Sequence, residues 1–190
     1  MKIPILMYHQ IDEPPQRGTA LRGLIVAPSS FAWQMRMLRL MGYKGMSMRD
    51  LEPYLRGDQQ GKVVGITFDD GYQNNLAHAQ PVLAKHGFSS TCYAVSNMTG
   101  QTNSWDAQKG IGAKRLMTPE ELRKWIAGGQ ELGSHTMHHV NLLASDTAIA
   151  HHEITKSKNQ LETMTGVACK HFCYPYGYFN GDHAQMVQEA

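Results

Sequence analysis

The stretch Lys62-Val63-Val64-Gly65-Ile66-Thr67-Phe68-Asp69-Asp70-Gly71 decides the fold. Val63, Val64, Ile66 and Phe68 form a near-continuous apolar run of strand formers, the pattern of a strand buried on both faces. The run ends abruptly in two carboxylates and a glycine. Outward from it, strand and helix patterns alternate. Upstream, Ile3 to Tyr8 reads as a buried first strand. Ser29 or Ser30 is the expected cap of a helix reaching about Met41, with Phe31, Met35, Leu38 and Met41 at helical spacing. A shorter helix is expected over Met48 to Leu55. Downstream come a helix from Asn74 to His86, a strand from Thr91 to Val95, and a helix opened by Thr118-Pro119-Glu120-Glu121. A strand over Gln130 to Ser134, a helix over Asp146 to Thr165, a strand over His171 to Tyr174 and a helix from Asp182 complete the series. Such alternation predicts an α/β fold with parallel strands. Residues 97–117 lack periodicity, and a loop of that length is commonly functional.

The 190 residues are one domain's worth of chain. Eighteen basic against sixteen acidic side chains leave a net charge of +2, which excludes a strongly basic nucleic-acid surface. Three cysteines do not make a disulfide framework. The apolar start, Met1 to Met7, is too short for a signal peptide or a membrane span. The expected location is therefore cytoplasmic, with peripheral membrane association as the alternative, and no stable membrane insertion. No sequence signal sets an oligomeric state. Ten histidines direct attention to metal or acid–base chemistry.

In parallel α/β folds, chemistry gathers where strands end at their carboxyl side. Three features fall at such positions. Asp69 and Asp70 repel each other unless a cation intervenes, and both reach one site only if the chain bends, which Gly71 permits. Ser134-His135-Thr136-Met137-His138-His139 places His135 and His139 four apart, sharing a face if the segment is a helical turn. His138, three from His135, is the competing choice. Asp70, His135 and His139 then form a two-histidine, one-carboxylate set with open metal positions. Zinc held this way activates water and polarises a carbonyl, and Asp69 is placed to act as general base. Non-haem iron oxygenases use the same ligand set, but with histidine and carboxylate close in sequence, unlike here. The third feature is Phe172-Cys173-Tyr174-Pro175-Tyr176-Gly177. It reads as a tight turn in which Tyr174 and Tyr176 wall a groove, and a backbone N–H, that of Tyr176, stabilises an oxyanion.

These residues resemble the polysaccharide deacetylase family, also called the NodB homology domain or carbohydrate esterase family four. Thr67-Phe68-Asp69-Asp70-Gly71 resembles its first motif, His135-Thr136-Met137-His138-His139 its second, and Pro175-Tyr176-Gly177 the end of its third. Pro4-Ile5-Leu6-Met7-Tyr8-His9 is similar to the first strand of the branch that deacetylates exopolysaccharide. The resemblance implies a distorted (β/α)7 barrel that removes N-acetyl groups from amino sugars. It implies Asp69 as base, Asp70, His135 and His139 as metal ligands, and the Tyr176 amide as oxyanion donor. The ion would be zinc, with cobalt, nickel or iron as alternatives. Tyr174, Pro175, Trp105 and His9 are the expected substrate-binding residues.

Two departures from the family pattern stand out. Cys173 occupies the place where many members carry an arginine that orients the base. A later leucine-histidine motif, which supplies a general acid, has no counterpart before Ala190. Residues 1–190 are accordingly expected to be a single domain cut short at its C-terminus. The alternatives to a polysaccharide deacetylase are a deacylase of a lipid- or nucleotide-linked amino sugar, and a non-catalytic sugar-binding remnant.

Overall fold

The structure is a computed structural model and describes residues 2–109 and 112–190. Five parallel strands form the main sheet: β1 (Ile5–Tyr8), β4 (Lys44–Met46), β5 (Val63–Phe68), β6 (Thr91–Ala94) and β7 (Glu131–Ser134). The order is β1-β5-β6-β7, with β4 also paired to β5. Two-residue strands β2 (Gln10–Ile11) and β3 (Ile25–Val26) pair with each other beside it. The helices are α1 (Pro28–Leu40), α2 (Met48–Arg56), α3 (Gln73–His78), α4 (Gln80–His86), α5 (Pro119–Ala127), α6 (Thr147–Thr165) and α7 (Gly181–Glu189). The α/β architecture with a parallel sheet is as expected.

Val63–Phe68 forms β5, the strand through which β1, β4 and β6 are joined. All six residues of β5 are buried, and the strand is hydrogen-bonded to neighbours on both sides. Phe68 packs edge-on against Trp125 of α5 and Phe31 of α1, and stacks on Tyr8 of β1. These rings tie sheet to helices through the main core. The Thr118–Glu121 capping box starts α5 as read from sequence.

Several local expectations are corrected. Ala27, not Ser29 or Ser30, precedes α1, and Pro28 opens it; proline needs no N–H partner in the first turn. The helix expected over 74–86 is two, because Pro81 removes a donor and helps break the run at Ala79. The first strand is only half buried: Ile5 and Met7 are exposed while Tyr8 is covered. It lies at the sheet edge, paired only to β5 among the described residues. The expected strand at 171–174 reduces to a single parallel bridge, Ser134 to Phe172. It is fastened by Ser134 N–H to the His171 carbonyl at 2.8 Å and Cys173 N–H to the Ser134 carbonyl at 2.9 Å. Gly133 permits that approach, since a Cβ there would stand 2.5 Å from the Tyr93 ring and 2.9 Å from the His171 oxygen. Within residues 97–117, short 3-10 turns cover Ser96–Met98 and Ser104–Lys109. Gly110 and Ile111 of that loop lie outside the described residues, as does Met1. No described helix is long and apolar enough to cross a membrane.

Candidate metal centre and active site

The three sequence features converge at the carboxyl ends of β5 and β7 and on the turn that follows the 171–173 segment. β5 delivers Asp69 and Asp70. Asp70 itself sits in the left-handed region at φ 73°, followed by Gly71 at φ 83°, so the bend is shared by both residues. That double turn brings two successive side chains into one site against the normal alternation of a strand.

β7 delivers His135. The segment beyond it is not the helical turn expected from the spacing. It is a bent loop in which Thr136 and His139 take φ 66° and 57°. The Thr136 hydroxyl accepts the His139 N–H at 3.0 Å. Glu153 of α6, buried, accepts the Met137 and His138 N–H groups at 2.8 and 3.0 Å. The loop is thus held from behind by a carboxylate. Sequence reasoning missed this residue, although an acid on the buried Ala150-Ile154-Ser157-Leu161 stripe of α6 was a readable signal.

The ambiguity between His138 and His139 is resolved by placement. His138 turns outward, its Nδ1 2.6 Å from Glu153 Oε1 and its Nε2 against the Asn97 amide. His139 turns inward and is buried. Asp70 Oδ1 lies 3.1 Å from His139 Nε2 and 3.5 Å from His135 Nε2. These three ligand atoms fall within 4.8 Å of one another.

The residues fit a metal ion on an observation of this structure. Asp69 Oδ1 and Asp70 Oδ1 are both fully buried without a hydrogen-bond partner. Buried carboxylate oxygens left so are costly. Asp70 faces two imidazole nitrogens at contact distance, yet with hydrogen-bond geometry to neither. A cation between them would satisfy all three. Each ring's other nitrogen is already engaged: His135 Nδ1 donates to the Cys173 carbonyl at 2.8 Å, and His139 Nδ1 lies 3.2 Å from the Tyr176 hydroxyl. Such partners fix which nitrogen faces the metal. Asp69, His135 and Cys173 form a second group of potential ligands, but it competes for the same imidazole, whose Nδ1 is spent on the carbonyl.

Electrostatics follow the same geometry. Burial alone would push the Asp70 carboxyl up, but His135 and His139 outweigh it and hold it well below the usual carboxylate range. Burial would lower His135, and Asp70 together with Cys173 raises it well above an ordinary histidine instead. His139 is lowered by burial. Asp69 is raised, chiefly by burial, with His135 and His9 pulling the other way.

A cavity of about 380 Å³ opens over these groups. His9, Asp69, Asp70, Trp105, His135, His139, Cys173, Tyr174 and Tyr176 all line it. Trp105 stacks on the His139 ring at 4.4 Å, so it braces that ring as well as facing the cavity. Tyr174 lies flat against Phe179 at 4.3 Å. Pro175 does not line the cavity. It is buried and sets the 3-10 turn in which Tyr176 adopts φ 61°. The Tyr176 N–H has no hydrogen-bond partner among the described residues. Lys109, unremarked in the sequence, also lines the cavity, paired to Asp106 at 2.9 Å. Among the described residues, five non-glycine residues have positive φ: Leu21, Asp70, Thr136, His139 and Tyr176. Four of them line this cavity and the fifth adjoins His135. Backbone strain gathers where a site is built.

A sequence-family model described as Polysaccharide deacetylase matches residues 56–190. The chain belongs to the polysaccharide deacetylase family. It is 31% identical over 190 residues to the polysaccharide deacetylase homologue YxkH of Bacillus subtilis, covering 99% of this chain and 61% of that protein. It is 22% identical to the poly-beta-1,6-N-acetyl-D-glucosamine N-deacetylase of Staphylococcus aureus, over 90% of this chain and 60% of that one. Among solved structures it resembles the Streptococcus pyogenes deacetylase PplD in complex with acetate. That match has a TM-score of 0.84 at 27% identity, and covers all of this chain and 80% of the other. The polysaccharide deacetylase fold expected from the motifs, of the (β/α)-barrel type, is therefore the fold present. The chain spans about three-fifths of the length of these curated relatives.

Proposed function

We propose that residues 1–190 form a single polysaccharide deacetylase domain whose site is that of a metal-dependent hydrolase removing N-acetyl groups from amino sugars of a polysaccharide or oligosaccharide. The observation that carries this reading is the pair of orphaned buried oxygens, Asp69 Oδ1 and Asp70 Oδ1, set beside two inward imidazoles on the floor of an open cavity. The Staphylococcus aureus relative supports an N-acetylglucosamine polymer as the substrate class.

Asp70, His135 and His139 would hold the ion, most simply zinc from the mixed nitrogen and oxygen donors. When bound, it supplies Lewis acidity that activates water and polarises an amide carbonyl. The chain's own residues do the rest. Asp69, buried and raised toward basicity, accepts the proton of the attacking water at Oδ1. The free Tyr176 N–H is the donor for charge developing on the carbonyl oxygen. Its left-handed backbone fixes that N–H in place before substrate arrives. Trp105, Tyr174 and Tyr176 give the cavity aromatic walls suited to a sugar ring, and His9 stands on the side of Asp69. A neighbouring hollow of about 240 Å³ shares Leu21, Leu24 and Asp106 with this cavity. It leaves room for substrate beyond one acetylated residue.

Acetate release from N-acetylglucosamine oligomers, after chelation and zinc or cobalt addition, tests the reading. Turnover that returns with metal and is abolished in Asp69→Asn is the expected result. A protein that neither binds the metal nor releases acetate overturns it.

A further inference from the structure

His138 stands between the two inward histidines in sequence, and the proposed mechanism leaves it unused. It reaches the surface, yet both of its ring nitrogens are paired. Glu153 Oε1 can only accept, so Nδ1, 2.6 Å away, carries the proton. Nε2 of the neutral ring then accepts from the Asn97 amide at 2.8 Å. Asn97 Oδ1 accepts from Gln160 Nε2 at 2.8 Å, and Gln160 Oε1 accepts from the Ser96 hydroxyl at 2.6 Å. Every donor in this series points the same way, from Ser96 to Glu153, and bonds so aligned strengthen one another. Glu153 and Gln160 both stand on α6, about two turns apart. The backbone agrees: the Ser96 and Asn97 N–H groups donate to the Thr136 and Met137 carbonyls, each at 3.1 Å.

We infer that His138 is a positioning residue for substrate: through Asn97 it latches the segment 98–109 onto the loop that carries His135 and His139. This rests on the proposed deacetylase reading. The segment holds Trp105, which stacks on the His139 ring and lines the cavity. It also holds Lys109, whose ammonium lies 5.5 Å from the centre of the Tyr176 ring. Gly100 N–H donates to the Met117 carbonyl, and Met117 N–H to the Gly71 carbonyl, both at 2.9 Å. This stretch of cavity wall is thus tied both to the loop after β7 and to the turn after β5. The adjacent histidines divide the work: His139 faces Asp70, and His138 holds in register the wall beside it.

His138→Ala and Asn97→Ala each cut the latch. Each is expected to raise KM for N-acetylglucosamine oligomers about fivefold, the worth of one hydrogen bond, with kcat and zinc content at saturating metal unchanged. The double variant is expected to be no worse than either single one, since both remove the same contact. His138→Gln, which returns an acceptor near the place of Nε2, is expected to recover part of the affinity. Parental KM in both single variants overturns the inference, as do effects that multiply in the double variant or a loss carried by kcat or zinc. Hydrogen exchange reads the latch without turnover. Backbone amides of residues 98–109 are expected to exchange faster in Asn97→Ala and His138→Ala, while those of α2 and α5 keep parental rates. Unchanged exchange over 98–109, or a rise shared by the whole chain, overturns the inference even where the parent protein is active. An inactive parent protein whose variants show the local rise supports the latch, and places the failure with the deacetylase reading instead.

Discussion

His138 and His139 are adjacent in sequence and serve opposite sides of the chain. The left-handed φ of His139 turns its ring toward Asp70, while His138 bonds Glu153 and Asn97 at the outer surface. Spacing alone favoured His139 through a helical geometry that the segment does not adopt. His139 is the histidine that faces Asp70, but not through the helical turn its spacing implied. The true determinant is a loop braced locally by the Thr136 hydroxyl, three residues before His139, and by Glu153, 15 and 16 residues along the chain from the N–H groups it accepts. Dialysis against limiting zinc followed by elemental analysis distinguishes the two histidines. His139→Ala is expected to lose the bound ion. His138→Ala is expected to keep it, with affinity reduced no more than the roughly 10- to 100-fold typical of outer-sphere changes. Equal loss from both would contradict the assigned geometry.

At the scale of elements, the site depends on how firmly the 171–173 segment is laid against β7. Its anchor at the far end is Glu131, buried at the start of β7. Glu131 Oε1 meets His171 Nδ1 at 2.7 Å, and Oε2 accepts from Thr91 Oγ1 at 2.5 Å and from the Arg49 N–H at 2.9 Å. One carboxylate thus joins α2, β6, β7 and the segment that carries Cys173. Burial by itself would raise this carboxyl, but the bonds from His171, Thr91 and Arg49 outweigh it and hold it below the ordinary glutamate range. A depressed folded-state pKa means the stabilisation is fully present above the unfolded value, near about pH 4.3. It is lost as pH falls through the folded value. Urea midpoints measured from about pH 7 down to pH 3 are expected to fall for the parent protein. Glu131→Gln is expected to start about 2 kcal/mol lower at neutral pH, from weakened charge-assisted bonds, and to show a flatter acid limb. Parallel limbs for the two proteins would remove Glu131 from the account. The sequence announced a strand at 130–134 but not this junction, because the partners of Glu131 come from three other parts of the chain.

For the whole molecule, the alternation of apolar strands and amphipathic helices made the parallel α/β architecture legible before any coordinates. The motif positions made the convergence of Asp69, Asp70, His135 and His139 legible too. What periodicity could not reveal was strand order and which faces lack a cover. Both are set by long-range pairing, and a buried run reads alike at the centre and at an edge. The cost of that ambiguity shows at β1. Its outer edge is unpaired among the described residues, and Ile5 and Met7 are 47% and 60% exposed. Together with Trp33, Met37 and Met41 of and just beyond α1, they border an apolar hollow of about 580 Å³. Contiguous apolar surface beside a free strand edge favours association. The 190-residue chain is therefore expected to bind an apolar fluorescent dye and to self-associate as concentration rises in sedimentation velocity. Met7 also lines the cavity over Asp69 and Asp70, so the face is better tested at Trp33 and Met41, which do not. Trp33→Gln combined with Met41→Gln should lower both dye binding and association while acetate release stays at the parental rate. If neither changes, this hollow is not what the chain associates through, and the free edge of β1 alone becomes the surface to block.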